Sequence, residues 1–148
     1  MSKVVQAFLS GLFFTFLLDF LLFLDIFLNY IKPLEIELYY NVLFADNQNI
    51  IIFLLFTTII GYLITYVKSS KITFSIIFTF FLFVGAGLIP QVGYKFGEVL
   101  LMKKDVVYKD AKHTFVGNVY YNGRKSIIFY DSELKKAITL EKSKLIKR

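Results

Sequence analysis

The sequence predicts a mostly α-helical membrane protein, with three transmembrane helices and an interfacial segment followed by a small antiparallel β meander or partial barrel. Three observations carry this. Of 148 residues 57% are hydrophobic, where soluble domains run at about 45–50% even with glycine counted, and the mean hydropathy is +0.63. The apolar residues, rich in Phe, gather in three long stretches before residue 103, the second and third uncharged and the first broken only by Asp19 and Asp25. Beyond Lys104 the hydrophobic period changes from 3.6 to 2.

Charge divides the chain at the same place. Residues 1–102 hold 5 basic and 6 acidic groups, and residues 103–148 hold 12 and 5. The expected organisation is therefore a transmembrane region over 1–102 and a small basic β module over 103–148. The chain has no Cys, which excludes thiolate zinc sites, thiol nucleophiles and redox pairs.

The first span covers residues 4–31 and is too long and continuous for a cleavable signal, so it reads as a retained anchor. Lys32 to Ala45 is too charged to cross and too apolar to float free. An interfacial helix suits it, with Pro33 at a first helical position and Glu35 and Glu37 in the first turn; the alternation of Leu34, Ile36 and Leu38 would equally suit a strand. The second span covers 50–67, after capping side chains in Asp46-Asn47-Gln48-Asn49. The third covers 72–92, with a kink at Pro90 and an amphipathic extension over 93–102. Val92, Phe96, Val99 and Leu100 form the apolar side of that extension. Gly85, Gly87, Gly93 and Gly97 serve either as hinge residues or as a surface another helix can approach.

In the tail, Asn122-Gly123 predicts a two-residue type I′ hairpin that sets Tyr121 opposite Arg124. Phe115, Val119, Tyr121, Ile128 and Tyr130 would then share one sheet face, and Val116, Tyr120, Ile127 and Phe129 the other. A turn at 131–134 leads to a strand over 135–140, and Val106 to Tyr108 adds an edge strand. A module of about 45 residues is near the lower limit for independent folding, so it is expected to pack on the extension, on a copy of itself or on a partner.

Catalytic chemistry is sparse. His113 is the only imidazole and reads as a solvated turn residue, and no phosphate loop, nucleophile set or metal cluster is visible. No cofactor, no metal and no enzymatic activity are expected. Asp19 stands out, because an ionisable residue at depth costs roughly 2.5–3.5 kcal/mol on insertion scales. Centring the first span near Phe16 or Leu17 places Asp19 close to the midplane, with Thr15 on its face and Thr57, Thr58 and Thr79 at matching depth in the other spans. That intramembrane polar site reads as a neutral hydrogen-bonded node, a pair for a partner's cation, or a proton or cation site. Asp25 falls at the boundary with Asn29, Tyr30 and Lys32, where interfacial solvation explains it.

Six lysines (Lys32, Lys95, Lys103, Lys104, Lys109, Lys112) flank the membrane on the tail side and three (Lys3, Lys68, Lys71) on the other. This predicts a cytoplasmic tail in a cytoplasmic-type, inner membrane. Basic residues interleaved with Tyr120, Tyr121 and Phe129 point to anionic lipid rather than nucleic acid. Gly85-Ala86-Gly87 in the third span, ahead of a small β module, loosely resembles the core of small-conductance mechanosensitive channels, and an anchor plus β module looks like NfeD-like proteins. Neither resemblance supplies a function or a residue. The expectation is a non-enzymatic scaffold or accessory subunit that holds a protein partner through its third span and β module. The alternative is a small homo-oligomeric channel or transport component around Asp19.

Overall fold

A computed structural model describes residues 2–110 and 113–145. It is about 62% helical, with a four-stranded antiparallel sheet following the helices. Helix α1 (Lys3–Ile26) is capped by the Ser2 hydroxyl and runs on as a π-helical turn (Phe27–Ile31). Then come α2 (Tyr40–Asn47), α3 (Ile50–Tyr66) and α4 (Ser70–Gly85). A 3-10 turn (Ala86–Leu88) leads to α5 (Pro90–Leu101). The strands are β1 (Lys103–Lys109), β2 (Thr114–Asn122), β3 (Ser126–Asp131) and β4 (Lys136–Glu141), paired in sequence order.

Two helical stretches, Lys3–Ile31 and Ser70–Leu88, are long and apolar enough to cross a membrane. A third becomes so if α2 and α3, bent by 84° at their junction, count as one. Asn49 makes that junction, its side chain accepting the Ile51 and Ile52 amides at 3.0 and 3.2 Å. The interfacial helix starts later than expected. Pro33 and Glu35 lie in a turn, with Glu35 at φ 53, and α2 begins only at Tyr40. The reason is that the α1 helix continues through residue 31, and its exit uses the residues that would have opened a new helix.

Helices α1 and α3 pack antiparallel at very short range. A methyl group on Gly11 would overlap the Thr57 carbonyl, and one on Gly61 would overlap the Ala7 carbonyl. Small residues spaced by four on both helices, Gly11/Thr15 and Thr57/Gly61, permit this approach, as is usual where lipid removes any hydrophobic drive between helices. Helix α4 runs antiparallel to α3 and parallel to α1, touching them through Phe56–Phe80 and Phe14–Phe81 ring contacts at 6.0 and 6.3 Å. The N-terminus of α1 and the 67–69 connection therefore share one end of the bundle, and the β module lies at the other.

With its π turn α1 is 29 residues long, about 40 Å, against about 25 Å for α3. The surplus projects entirely on the β-module side. There α2, α5 and the sheet wrap it in a core of Phe23, Ile26, Tyr30, Ile31, Ile36, Leu43, Leu101 and Tyr121.

The extension is a separate helix, because the 3-10 turn and extended Ile89 break the chain before Pro90 enters the first turn of α5. Its buried residues are Gly93, Gly97 and Leu101, while Val99 and Leu100 are exposed. Of the expected apolar side Val92 and Phe96 are half-buried, Phe96 against the helical core, so the buried face is rotated toward the glycines from the one expected. The glycines are buried because only they fit against Asn29 and Tyr30.

In the β module the hairpin is present but its turn is displaced. Asn122 pairs with Ile127 and Tyr121 with Ile128, so residues 123–125 bridge the strands, and no glycine has a positive φ. Phe129 then sits opposite Val119, and Ile127, Phe129 and Leu140 join Val119 in one buried cluster. At the turn the register moves by four residues, which keeps Tyr121 on the face of Ile128. The bulge between Val119 and Tyr121 adds an odd step that puts Val119 on the face of Ile127 and Phe129 instead. The turn after Asp131 is as expected, its carboxylate accepting the Glu133 and Leu134 amides at 2.8 and 3.0 Å. Among the described residues β1 and β4 do not pair, and the sheet is an open meander rather than a closed barrel.

Candidate functional site

The polar residues of the helical region follow one face of α1 and its neighbours. Thr15 and Thr57 are both buried at the α1–α3 contact, their hydroxyls without a partner. Thr58 and Thr79 are elsewhere, each exposed and donating to its own helix, at the Leu54 and Ser75 carbonyls. Asp19 accepts a hydrogen bond from Gln48 Nε2 at 3.2 Å. Gln48 immediately precedes the cap of α3, so Asp19 lies level with the start of α3 rather than with its middle. The five residues expected to form one midplane site are thus divided among four places, with only Thr15 and Thr57 buried at the same helix contact. Helix α1 exceeds its neighbours at one end only, so its middle is not level with the middle of α3.

Asp25 is the carboxylate the structure encloses. It is 0% exposed, and neither of its oxygens has a hydrogen-bond partner. It rests against Gly87, where a side-chain methyl would overlap Asp25 Oδ2. Four residues on, Asn29 Nδ2 donates to the Gly87 carbonyl at 2.9 Å, and a methyl on Gly93 would meet that same carbonyl. Next along, Tyr30 fills the space left by Gly97. Asp25, Asn29 and Tyr30 are therefore matched in order by Gly87, Gly93 and Gly97, which fasten the end of α4 and the whole of α5 to the first helix. Gly85 has open space where its side chain would be. A buried carboxyl without a partner costs several kcal/mol when ionised, which favours the neutral acid at this position.

Further along α1, Tyr30 Oη donates to the Tyr120 carbonyl at 3.0 Å. A β-bulge between Val119 and Tyr121 takes Tyr120 out of the ladder and leaves its carbonyl free for that bond. Tyr121, beside it, enters the helical core and donates to Asp46 Oδ2 at 3.4 Å. Burial and then the Asp46 carboxylate push its phenol above the ordinary value. Arg124, in the hairpin loop, pairs with the other oxygen of Asp46. At the second junction Glu98 of α5 binds both Lys95 and Lys104, which hold its carboxyl down from the ordinary 4.5 to about 2. Asn122 ends β2 and Gly123 begins the loop, where a methyl would lie 3.1 Å from the Tyr121 ring. A cleft of about 410 Å³ remains between α2 and the hairpin, lined by Ile36, Val42, Asp46, Arg124, Lys125 and Ile128 among others.

Sequence reasoning passed over Gly11 and Gly61, whose signal was present: each stands four residues from a threonine, on facing helices. It passed over the Asp46–Arg124 pair as well, and no local signal could have joined residues so far apart. Among the described residues no three His, Cys, Asp or Glu side chains gather in a way that could hold a metal. No protein-family model, no curated protein and no solved structure matches the chain significantly.

Proposed function

We propose that this is a non-enzymatic integral membrane scaffold or accessory subunit. It has three spans, α1, α3 and α4, with α2 lying across the boundary, the N-terminus outside and the β module on the cytoplasmic side of an inner membrane. The observation that carries the reading is the mounting of the β module on the chain's own helices, on the first through Tyr30 and on α2 through Tyr121 and the Asp46–Arg124 pair. A module this small gains stability by association, and here the association is with the chain's own membrane helix. Whatever binds the sheet is thereby held at a set height and orientation above the bilayer. Exposed Lys103, Lys109, Lys125, Lys135 and Lys136 suit an acidic partner surface or anionic headgroups.

Extraction of a tagged chain in a mild detergent, followed by mass spectrometry, tests this. A heteromeric complex whose yield falls several-fold in Tyr121→Ala supports the reading; recovery of the chain without any stoichiometric partner opposes it. A homo-oligomeric ring that conducts ions would favour the alternative of a channel. That alternative draws less support, since Asp19, Thr58 and Thr79 do not share a path in one chain. A C-terminal reporter active only when exported would reverse the orientation.

A further inference from the structure

Helix α4 lines an open groove beside α1 and α3 with Ser70, Thr73, Phe74, Ile77, Phe78 and Phe81. Thr73 also donates to the Leu63 carbonyl of α3 at 3.0 Å and Phe81 meets Phe14 of α1 edge-on, while Phe74 and Phe78 stay half or more exposed. Phe14, Ile64, Val67 and Lys68 complete the groove, whose volume is about 470 Å³. No residue of α4 is buried. The groove between α4 and its neighbours is therefore open in the single chain.

We propose that the groove binds one acyl chain of an anionic phospholipid, with the phosphate held at Lys68. Polarity along the groove selects the acyl chain. Phe14, Ile77, Phe78 and Phe81 line it toward the middle of the bundle, and Lys68 and Ser70 lie at its end, the layout of one lipid tail below its headgroup. Charge selects the headgroup. Lys68 lines the groove at its end, Lys3 and Lys71 begin α1 and α4 at that same end of the bundle, and residues 2–18 and 49–75 contain no Asp or Glu. A lysine near the membrane surface attracts an anionic headgroup by ~1 kcal/mol, here in the leaflet that the proposed topology makes the outer one. Ser70 at the groove mouth adds a hydroxyl able to donate to a phosphate oxygen.

The chain contains no Trp, which allows a direct test. Phe81→Trp places a single fluorophore in the groove, and Leu55→Trp places one on the exposed side of α3. Each variant is reconstituted in phosphatidylcholine vesicles with a minor fraction of phosphatidylglycerol, and brominated acyl chains are carried on one lipid or the other. At Phe81→Trp, brominated phosphatidylglycerol should quench about fivefold more effectively per molecule than brominated phosphatidylcholine, the factor that ~1 kcal/mol per surface lysine corresponds to. Lys68→Gln should remove that preference, and Leu55→Trp should show none. Equal quenching by the two lipids at Phe81→Trp would overturn the headgroup assignment. Absence of quenching by either lipid, with the chain dimeric in the vesicles, would mean that a second copy fills the groove and would overturn the proposal.

Discussion

In α4 no residue is buried, whereas in β3 every second residue is. The same contrast separates the whole bundle end of the molecule from the head beyond Asp19. At the bundle end Phe13, Leu55 and Phe74 are more than half exposed, and the contacts between α1 and α3 are made by Gly11, Thr15, Thr57 and Gly61. In the head, large side chains such as Tyr30, Leu43 and Phe129 are fully buried, and hydrogen bonds run between distant segments. The difference follows from solvent. Where lipid surrounds the helices, burying a phenyl ring gains little, and close backbone approach holds them together. Where water surrounds the head, each buried large apolar side chain is worth ~1.5–3 kcal/mol.

Opposite substitutions should therefore damage the two regions. Removing volume should harm the head most. Phe129→Ala is expected to cost about 3–5 kcal/mol, seen as lost hydrogen-exchange protection in β2 and β3 while α3 stays protected. The same truncation at Leu55 should leave thermal stability in detergent unchanged. If Leu55→Ala destabilises as much as Phe129→Ala, the distinction between the two kinds of packing fails.

Adding volume should harm the bundle. Gly11→Leu drives a side chain into the Thr57 backbone, which cannot rotate away, and is expected to cost about 1–3 kcal/mol. Cysteine pairs introduced across α1 and α3, in a chain without other thiols, should cross-link less readily in that variant. Gly85→Ala, facing open space, is the neutral control.

A smaller effect should appear where the regions join. Tyr30→Phe removes the bond to the bulged Tyr120 carbonyl at a cost of ~0.5–1.5 kcal/mol. It should raise exchange at the module's contact with α1 without altering the α1–α3 cross-link. The smallest is electrostatic. Because Lys104 and Lys95 lower the Glu98 carboxyl from 4.5 to about 2, its contribution is present above about pH 4.5 and is lost as pH falls toward 2. Mobility of a spin label on β1 should rise across that interval in the native chain and stay flat in Glu98→Gln.

Much of the architecture was legible in local pattern. Apolar runs give the long helices, Asn49 gives a cap, Pro90 a break, and period-2 residues give four strands in sequence order. The register of the hairpin was not legible, since Asn122-Gly123 satisfies a turn rule that the packing of Val119 against Phe129 overrides. The polar residues were misplaced for a related reason. Asp19 was placed from the middle of its own span, while in the fold it is level with the start of α3, where Gln48 reaches it.

The sequence by itself determined that long apolar helices precede a basic antiparallel sheet, because helix and strand periods and the displacement of charge are properties of neighbouring residues. Only the tertiary structure decided that Asp25 rather than Asp19 is sealed, that the glycines at 87, 93 and 97 clasp the chain's own first helix, and that a bulge at Tyr120 ties the sheet to Tyr30. Those outcomes depend on the relative lengths of helices and on contacts between segments up to 90 residues apart, and no local period or propensity encodes which distant surfaces fit.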